Sequence, residues 1–180
     1  VGAHIDAPRL DLKQNPLYED SGFALFKTHY YGGIKKYQWT TIPLALHGVV
    51  VLTDGTKIDI CIGEDESDPV FLVTDLLPHL SAKQNVPMPE AESENVKNNI
   101  LSILKEKYGM EEEDFRSAEI EAVPAMKARS LGMDRSMVAA YGQDDRVCAY
   151  PALTALFGLT QVPPKTAVCI LTDKEEIGSV

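Results

Sequence analysis

The apolar positions of this chain fall into short, alternating or turn-bounded runs over about residues 12–135, and that pattern predicts strands. Phe23–Tyr31 is one such run, ended by Gly32-Gly33, and Gln38–Ile42 is another, stopped by Pro43. Val49-Val50-Val51-Leu52-Thr53 leads into Asp54-Gly55, after which Ile58, Ile60 and Ile62 alternate with Asp59 and Cys61. Asp-Gly between two such runs predicts a hairpin with a type I′ turn, whose left-handed positions suit both residues. Val70–Val73 reads as a further short strand. Ala118, Ile120 and Ala122 alternate with Glu119 and Glu121 as an edge-like strand ended by Pro124. One helix interrupts the β pattern, with Val96, Ile100, Ile103 and Leu104 on one face, Ser93 as candidate N-cap and Gly109 just past its end.

From residue 136 the pattern changes. Val147–Phe157 reads as an apolar helix stopped by Gly158, with Asp144 or Asp145 at or near its N-cap. Ala167–Leu171, preceded by Pro163-Pro164, is short, rich in β-formers and wholly apolar, so it reads as a buried strand. A strand buried on both faces is usually parallel and belongs to an α/β sheet. Val1–Asp11 reads as a short strand running into a loop at Pro8. The predicted fold class is therefore α/β, with a β-rich stretch inserted between a first strand and the rest of an α/β unit.

Composition narrows the functions open to such a chain. Its 180 residues, 44% hydrophobic and 24% charged, are globular in character. A net charge of -10 argues against nucleic acid or an anionic membrane surface as partner, since both call for a basic surface. No apolar stretch is long enough to span a bilayer, and no basic segment precedes an apolar core as in a signal peptide. Cys61, Cys148 and Cys169 are odd in number, form no CxxC pair and sit in apolar contexts, which predicts reduced core residues of a cytoplasmic protein. The start at Val1 and the stop at Val180, where a helix is due, read as the ends of a fragment of a longer protein.

Three short motifs carry candidate chemistry. In α/β sheets ligands gather at the carboxyl ends of strands, and Glu175-Glu176 follows the Ala167–Leu171 strand closely. Adjacent carboxylates repel unless a cation or a shared proton offsets them. The pair reads either as a metal site, one glutamate a ligand and the other a base, or as a solvated acidic turn. His4 and Asp6, one residue apart, would point the same way on a strand. Such an Asp can accept a hydrogen bond from one imidazole nitrogen and leave the other for a metal, although a histidine near a strand end commonly ligates nothing. Asp144-Asp145-Arg146 is the third, with helix capping as its plain alternative. Together these supply what a dinuclear zinc site needs: ligands for both ions and a bridging carboxylate, the ions about 3.5–4 Å apart. Imidazole and carboxylate suit zinc, and also cobalt or manganese.

Gly2-Ala3-His4-Ile5-Asp6-Ala7-Pro8, Tyr31-Gly32-Gly33, Gly142-Gln143-Asp144-Asp145-Arg146 and Asp173-Lys174-Glu175-Glu176-Ile177-Gly178-Ser179 resemble the motifs of the aspartyl aminopeptidase and aminopeptidase I family of zinc metallopeptidases. The resemblance covers the whole chain, and the last motif is the most specific. It implies part of an α/β catalytic domain (1–11 and 136–180), interrupted by a β-rich dimerisation and oligomerisation domain (12–135) in a dodecamer built from dimers. It implies peptide substrates and two zinc ions in each site. Carried over by motif, His4 is a ligand of one zinc and Asp6 orients it, Asp144 bridges the ions, Glu175 is the general base and Glu176 a ligand of the other zinc. His79, in Leu77-Pro78-His79-Leu80, matches a histidine that reaches a neighbouring subunit's active site and helps hold the scissile carbonyl; an interface role fits it equally. Many members carry Asn where Asp145 stands, so the choice of Asp144 over Asp145 as bridge rests on the alignment of motifs. Lys35-Lys36-Tyr37-Gln38-Trp39 departs from the usual residues after the Gly-Gly turn and points to a bacterial-type branch. The family's remaining ligands, an Asp and a His, fall after the Glu-Glu motif and beyond Val180, which implies that the chain as given is not a competent enzyme. Two other readings stand beside this one: a related dinuclear glutamyl aminopeptidase or deacylase, which the Asp144-Asp145-Arg146 motif also fits, and a non-catalytic oligomerisation module whose acidic pairs are caps and surface.

Overall fold

The computed structural model describes residues 1–75 and 95–178, so the readings placed on His79 and Ser93 lie outside the described residues. The chain is mixed α/β and forms two compact units, one of residues 1–9, 30–34 and 126–180, the other of residues 10–29 and 35–125. No helix among the described residues is long and apolar enough to cross a membrane.

The second unit is built on a five-stranded sheet. Its strands are β2 (Arg9–Asp20), β3 (Phe23–Tyr31), β4 (Leu44–Val51), β5 (Lys57–Ile62) and β6 (Glu119–Pro124), in the order β3-β2-β6-β4-β5. The predicted β4–β5 hairpin forms, with Val51 opposite Lys57. Its turn differs from expectation: Gly55 N–H donates to the Leu52 carbonyl (2.9 Å) and only Gly55 is left-handed (φ 86°). That is a three-residue loop closed by a bulge glycine. Asp54 stays at negative φ because its side chain accepts the Thr56 N–H instead (2.8 Å). The two-residue turn with both φ values positive occurs at Ser21-Gly22 (φ 50° and 76°), between β2 and β3.

Three element predictions are corrected here. Residues Lys36–Trp39 form a helical turn, α1, not a strand, because Trp39 is the single buried anchor and nothing alternates around it. Phe71 makes an isolated bridge with Leu44 in place of a strand over Val70–Val73. Strand β6 lies at the centre of the sheet, flanked by β2 and β4; its alternation reflects Ile120 and Ala122 facing the core while Glu119 and Glu121 face out. Helix α2 (Asn95–Tyr108) follows the predicted periodicity, except that Ile103 is exposed. It ends at left-handed Gly109 (φ 69°). Its first amides, of Val96 and Lys97, are capped by the Glu19 carboxylate from β2 (2.7 and 3.0 Å). Leu44, Leu46, Val50, Ile60, Ile62, Ile120, Met110 and Phe115 form the core, with Phe26 tilted against Phe71 and Phe115 (centroids 6.3 and 6.2 Å).

The first unit holds the parallel pair β1 (Gly2–His4) and β9 (Ile170–Thr172), with His4 opposite Thr172. It also holds the hairpin of β7 (Arg129–Leu131) and β8 (Met137–Ala139), and helix α3 (Gln143–Phe157), which packs on β1. The parallel pairing agrees with expectation, but the strand is shorter than predicted and not buried: Ile170 is 57% exposed, because β9 has β1 as its one partner among the described residues. The cysteines are free, as expected, yet Cys61 and Cys148 are exposed and Cys169 half-buried, so they are not core residues.

Candidate metal centre

The centre lies within the first unit, where β1, the start of α3 and the turn after β9 meet. Strand β1 ends at His4, and the period of two brings the Asp6 carboxylate back to its ring. His4 Nδ1 lies 3.2 Å from Asp6 Oδ1 and 3.2 Å from the Asp6 carbonyl oxygen. Both are acceptors, so Nδ1 carries the proton and Nε2 is the nitrogen left for another partner. Nε2 faces Asp144 Oδ1 at 3.1 Å and Glu175 Oε2 at 3.8 Å.

Asp144 and Asp145 are not caps. The N-cap of α3 is left-handed Gly142, and the two aspartates are the non-helical residues at the helix start, joined by a cis peptide bond. Asp145 Oδ2 accepts the His4 backbone N–H (3.4 Å), and the Asp145 carboxylate also takes the Cys148 thiol; that bond, together with burial, pushes the thiol up from its ordinary pKa. Ligand atoms of His4, Asp144 and Asp145 lie within 4.8 Å of one another.

Glu175 and Glu176 sit on a helical turn, Glu175–Ile177, entered through left-handed Lys174 (φ 71°), with Asp173 accepting the Lys174 N–H. The backbone N–H of Glu176 donates to Asp6 Oδ2 (3.0 Å), and the Tyr31 hydroxyl donates to the same oxygen (2.6 Å). Asp6 is therefore buried but fully engaged. Its burial opposes ionisation, and the Tyr31 hydroxyl and the surrounding N–H groups outweigh that and bring its pKa down to about 2. Tyr31 is pushed well up from its ordinary value by burial and by this bond. Gly32 (φ 71°) lets the Tyr31 segment approach closely: a Cβ there would meet Glu176 Cβ at 3.1 Å and Pro8 Cα at 3.3 Å.

The electrostatics are those of a site crowded with negative charge. Glu176 is raised by burial first and then by the Asp144 charge, with Asp6 and Glu175 adding to it. His4 is lowered by burial, but the Asp144 and Asp6 carboxylates and the Glu175 charge outweigh this and raise it. The imidazole and carboxylate donors are of the kind zinc takes, and a cation among them would relieve the repulsion. Of the residues singled out from sequence, the structure brings His4, Asp6, Asp144, Glu175 and Glu176 together; His79 is outside the described residues. Sequence reasoning missed Tyr31 as a member of the centre, although its Tyr-Gly-Gly motif had been noticed.

A model of the aminopeptidase I zinc metalloprotease (M18) family matches residues 1–92 and 82–180. A probable M18 family aminopeptidase 1 from Clostridium acetobutylicum is 54% identical over 200 residues, covering 100% of this chain and 43% of that protein. A crystal structure of an M18-family aminopeptidase from Thermotoga maritima superposes with a TM-score of 0.87 at 54% identity, over 99% of this chain and 43% of the other. At 22% identity, a yeast mApe1 dodecamer shares the fold with a TM-score of 0.69 over 99% of this chain and 44% of its own. The chain belongs to the M18 family of aminopeptidase I zinc metalloproteases. It spans about 43% of the length of the curated relatives it matches.

Proposed function

We propose that this chain carries part of the catalytic centre of a dinuclear zinc aminopeptidase that removes the first residue of peptides in the cytoplasm. The observation that carries the reading is the His4 ring. Both nitrogens face acceptors: Nδ1 is satisfied by Asp6, while Nε2 is aimed at Asp144 Oδ1 (3.1 Å) and Glu175 Oε2 (3.8 Å). A neutral imidazole has no proton for that second acceptor. A cation between Nε2 and Asp144 removes the conflict.

In this reading His4 and Glu176 would each ligate one ion, Asp144 would serve both and Asp6 would orient His4. Zinc bound there supplies Lewis acidity toward a peptide carbonyl and toward water, a role cobalt or manganese could fill. Glu175, exposed beside Nε2, takes a proton from the attacking water at its carboxylate and returns it to the leaving amine. Family membership favours peptide bonds over the acyl-amino acid bonds of a deacylase, and favours an enzyme over a bare oligomerisation module. The β-rich unit is assigned to assembly with further copies of the chain, and His79 to the substrate carbonyl of a neighbouring copy. A yeast protein of this fold is a dodecamer.

The test is Glu175→Gln in a protein of the relatives' length. Turnover of a peptide panel should fall at least about a hundredfold, the low end for loss of general base catalysis, with zinc content unchanged. Undiminished turnover would place the base elsewhere.

A further inference from the structure

We propose that Tyr31 is a positioning residue of this centre: its hydroxyl locks the Asp6 carboxylate, through which both the His4 ring and the backbone of Glu176 are held. The proposal rests on the zinc reading above. The Asp6 side chain is 1% exposed and divides its two oxygens between the two halves of the centre. Oδ1 takes His4 Nδ1–H (3.2 Å), and Oδ2 takes the Glu176 N–H (3.0 Å) and the Tyr31 hydroxyl (2.6 Å). One buried carboxylate thus links the residue assigned to one ion with the residue assigned to the other. The Tyr31 bond is the shortest of the three and comes from a segment that contributes no ligand.

Two features independent of that bond fix the phenol. The Arg9 guanidinium lies over its ring, 3.7 Å from the centroid. Left-handed Gly32 holds the following backbone against Pro8 and Glu176. Without the hydroxyl, Oδ2 keeps one of these two donors, and a buried carboxylate short of a donor turns to recover one. That rotation would draw Oδ1 off the His4 ring and release Nε2 from its aim. Groups that orient a ligating histidine commonly govern metal affinity by about 10–100-fold. Tyr141 supplies the contrast: its hydroxyl donates to the Pro8 carbonyl (2.7 Å), the loop that follows Asp6.

The experiment measures the zinc dissociation constant by competition with a chromophoric chelator, and the melting temperature by circular dichroism, in a protein of the relatives' length, for the unaltered protein, Tyr31→Phe and Tyr141→Phe. Tyr31→Phe keeps the ring and its packing, and should weaken zinc binding at least about tenfold. Tyr141→Phe should lose melting temperature to a similar degree and keep its zinc affinity. Zinc binding in Tyr31→Phe equal to that of the unaltered protein overturns the positioning role while leaving the zinc reading intact. Equal weakening in both variants overturns it too, since the hydroxyl would then act only on loop stability. An unaltered protein that takes up no zinc overturns both readings.

Discussion

His4 shows how much a single side chain can constrain. Its Nδ1 is engaged by Asp6, and Asp144 Oδ1 lies 3.1 Å from its Nε2. Asp145 is occupied with the His4 backbone N–H and the Cys148 thiol. Asp144→Ala should therefore weaken zinc binding at least about tenfold, and Asp145→Ala distinctly less, in the same chelator competition; the reverse order would make Asp145 the bridge. Gly32→Ala should cost about 1–2 kcal/mol from its left-handed backbone alone, read as denaturant stability, and more from the close approach of Pro8 and Glu176. At this scale the sequence was readable where partners are near in the chain or on one strand. His4 and Asp6 declare themselves by spacing. Tyr31 does not, because a hydroxyl bonded to a carboxylate 25 residues away leaves no periodic trace.

Secondary-structure elements were legible where side-chain period and burial agree. The β4–β5 hairpin and α2 follow their apolar patterns, and the β1–β9 pairing follows from the argument for a parallel strand. Turn type was not, since Asp54 uses its side chain to satisfy Thr56 and leaves the left-handed position to Gly55. Gly55→Ala should destabilise the chain by about 1–2 kcal/mol in denaturant melts, the cost of a left-handed side chain with open space around it. Asp54 is held below its ordinary value of 3.8 by the Thr56 backbone N–H first and its side chain second. A carboxyl with a depressed folded-state pKa contributes stability that is present above the unfolded value and lost as pH falls through the folded one. The Thr56 amide resonance should accordingly shift with a midpoint below 3.8; a midpoint at or above it would mean the side-chain bond does not form. Strand β6 misled because alternation reports one wet face and says nothing about how many neighbours a strand has.

For the whole molecule, the contacts form two units, and the Tyr30–Ile34 segment belongs to the unit that holds the centre. That placement brings Tyr31 to Asp6, and nothing in local hydrophobicity marks it. The apolar surface left on β9 and α3, with Ile170 57% and Phe157 76% exposed, shows why burial predicted from apolar runs failed there: those runs have few partners among the described residues. The central claim is that His4 and Glu176, 172 positions apart in the sequence, converge on one zinc site. Native mass spectrometry at neutral pH, on a protein of the relatives' length beside its His4→Ala and Glu176→Ala variants, tests it most directly. The account predicts zinc on the unaltered protein and loss of zinc in each variant; undiminished zinc in both variants would contradict it and put the metal elsewhere.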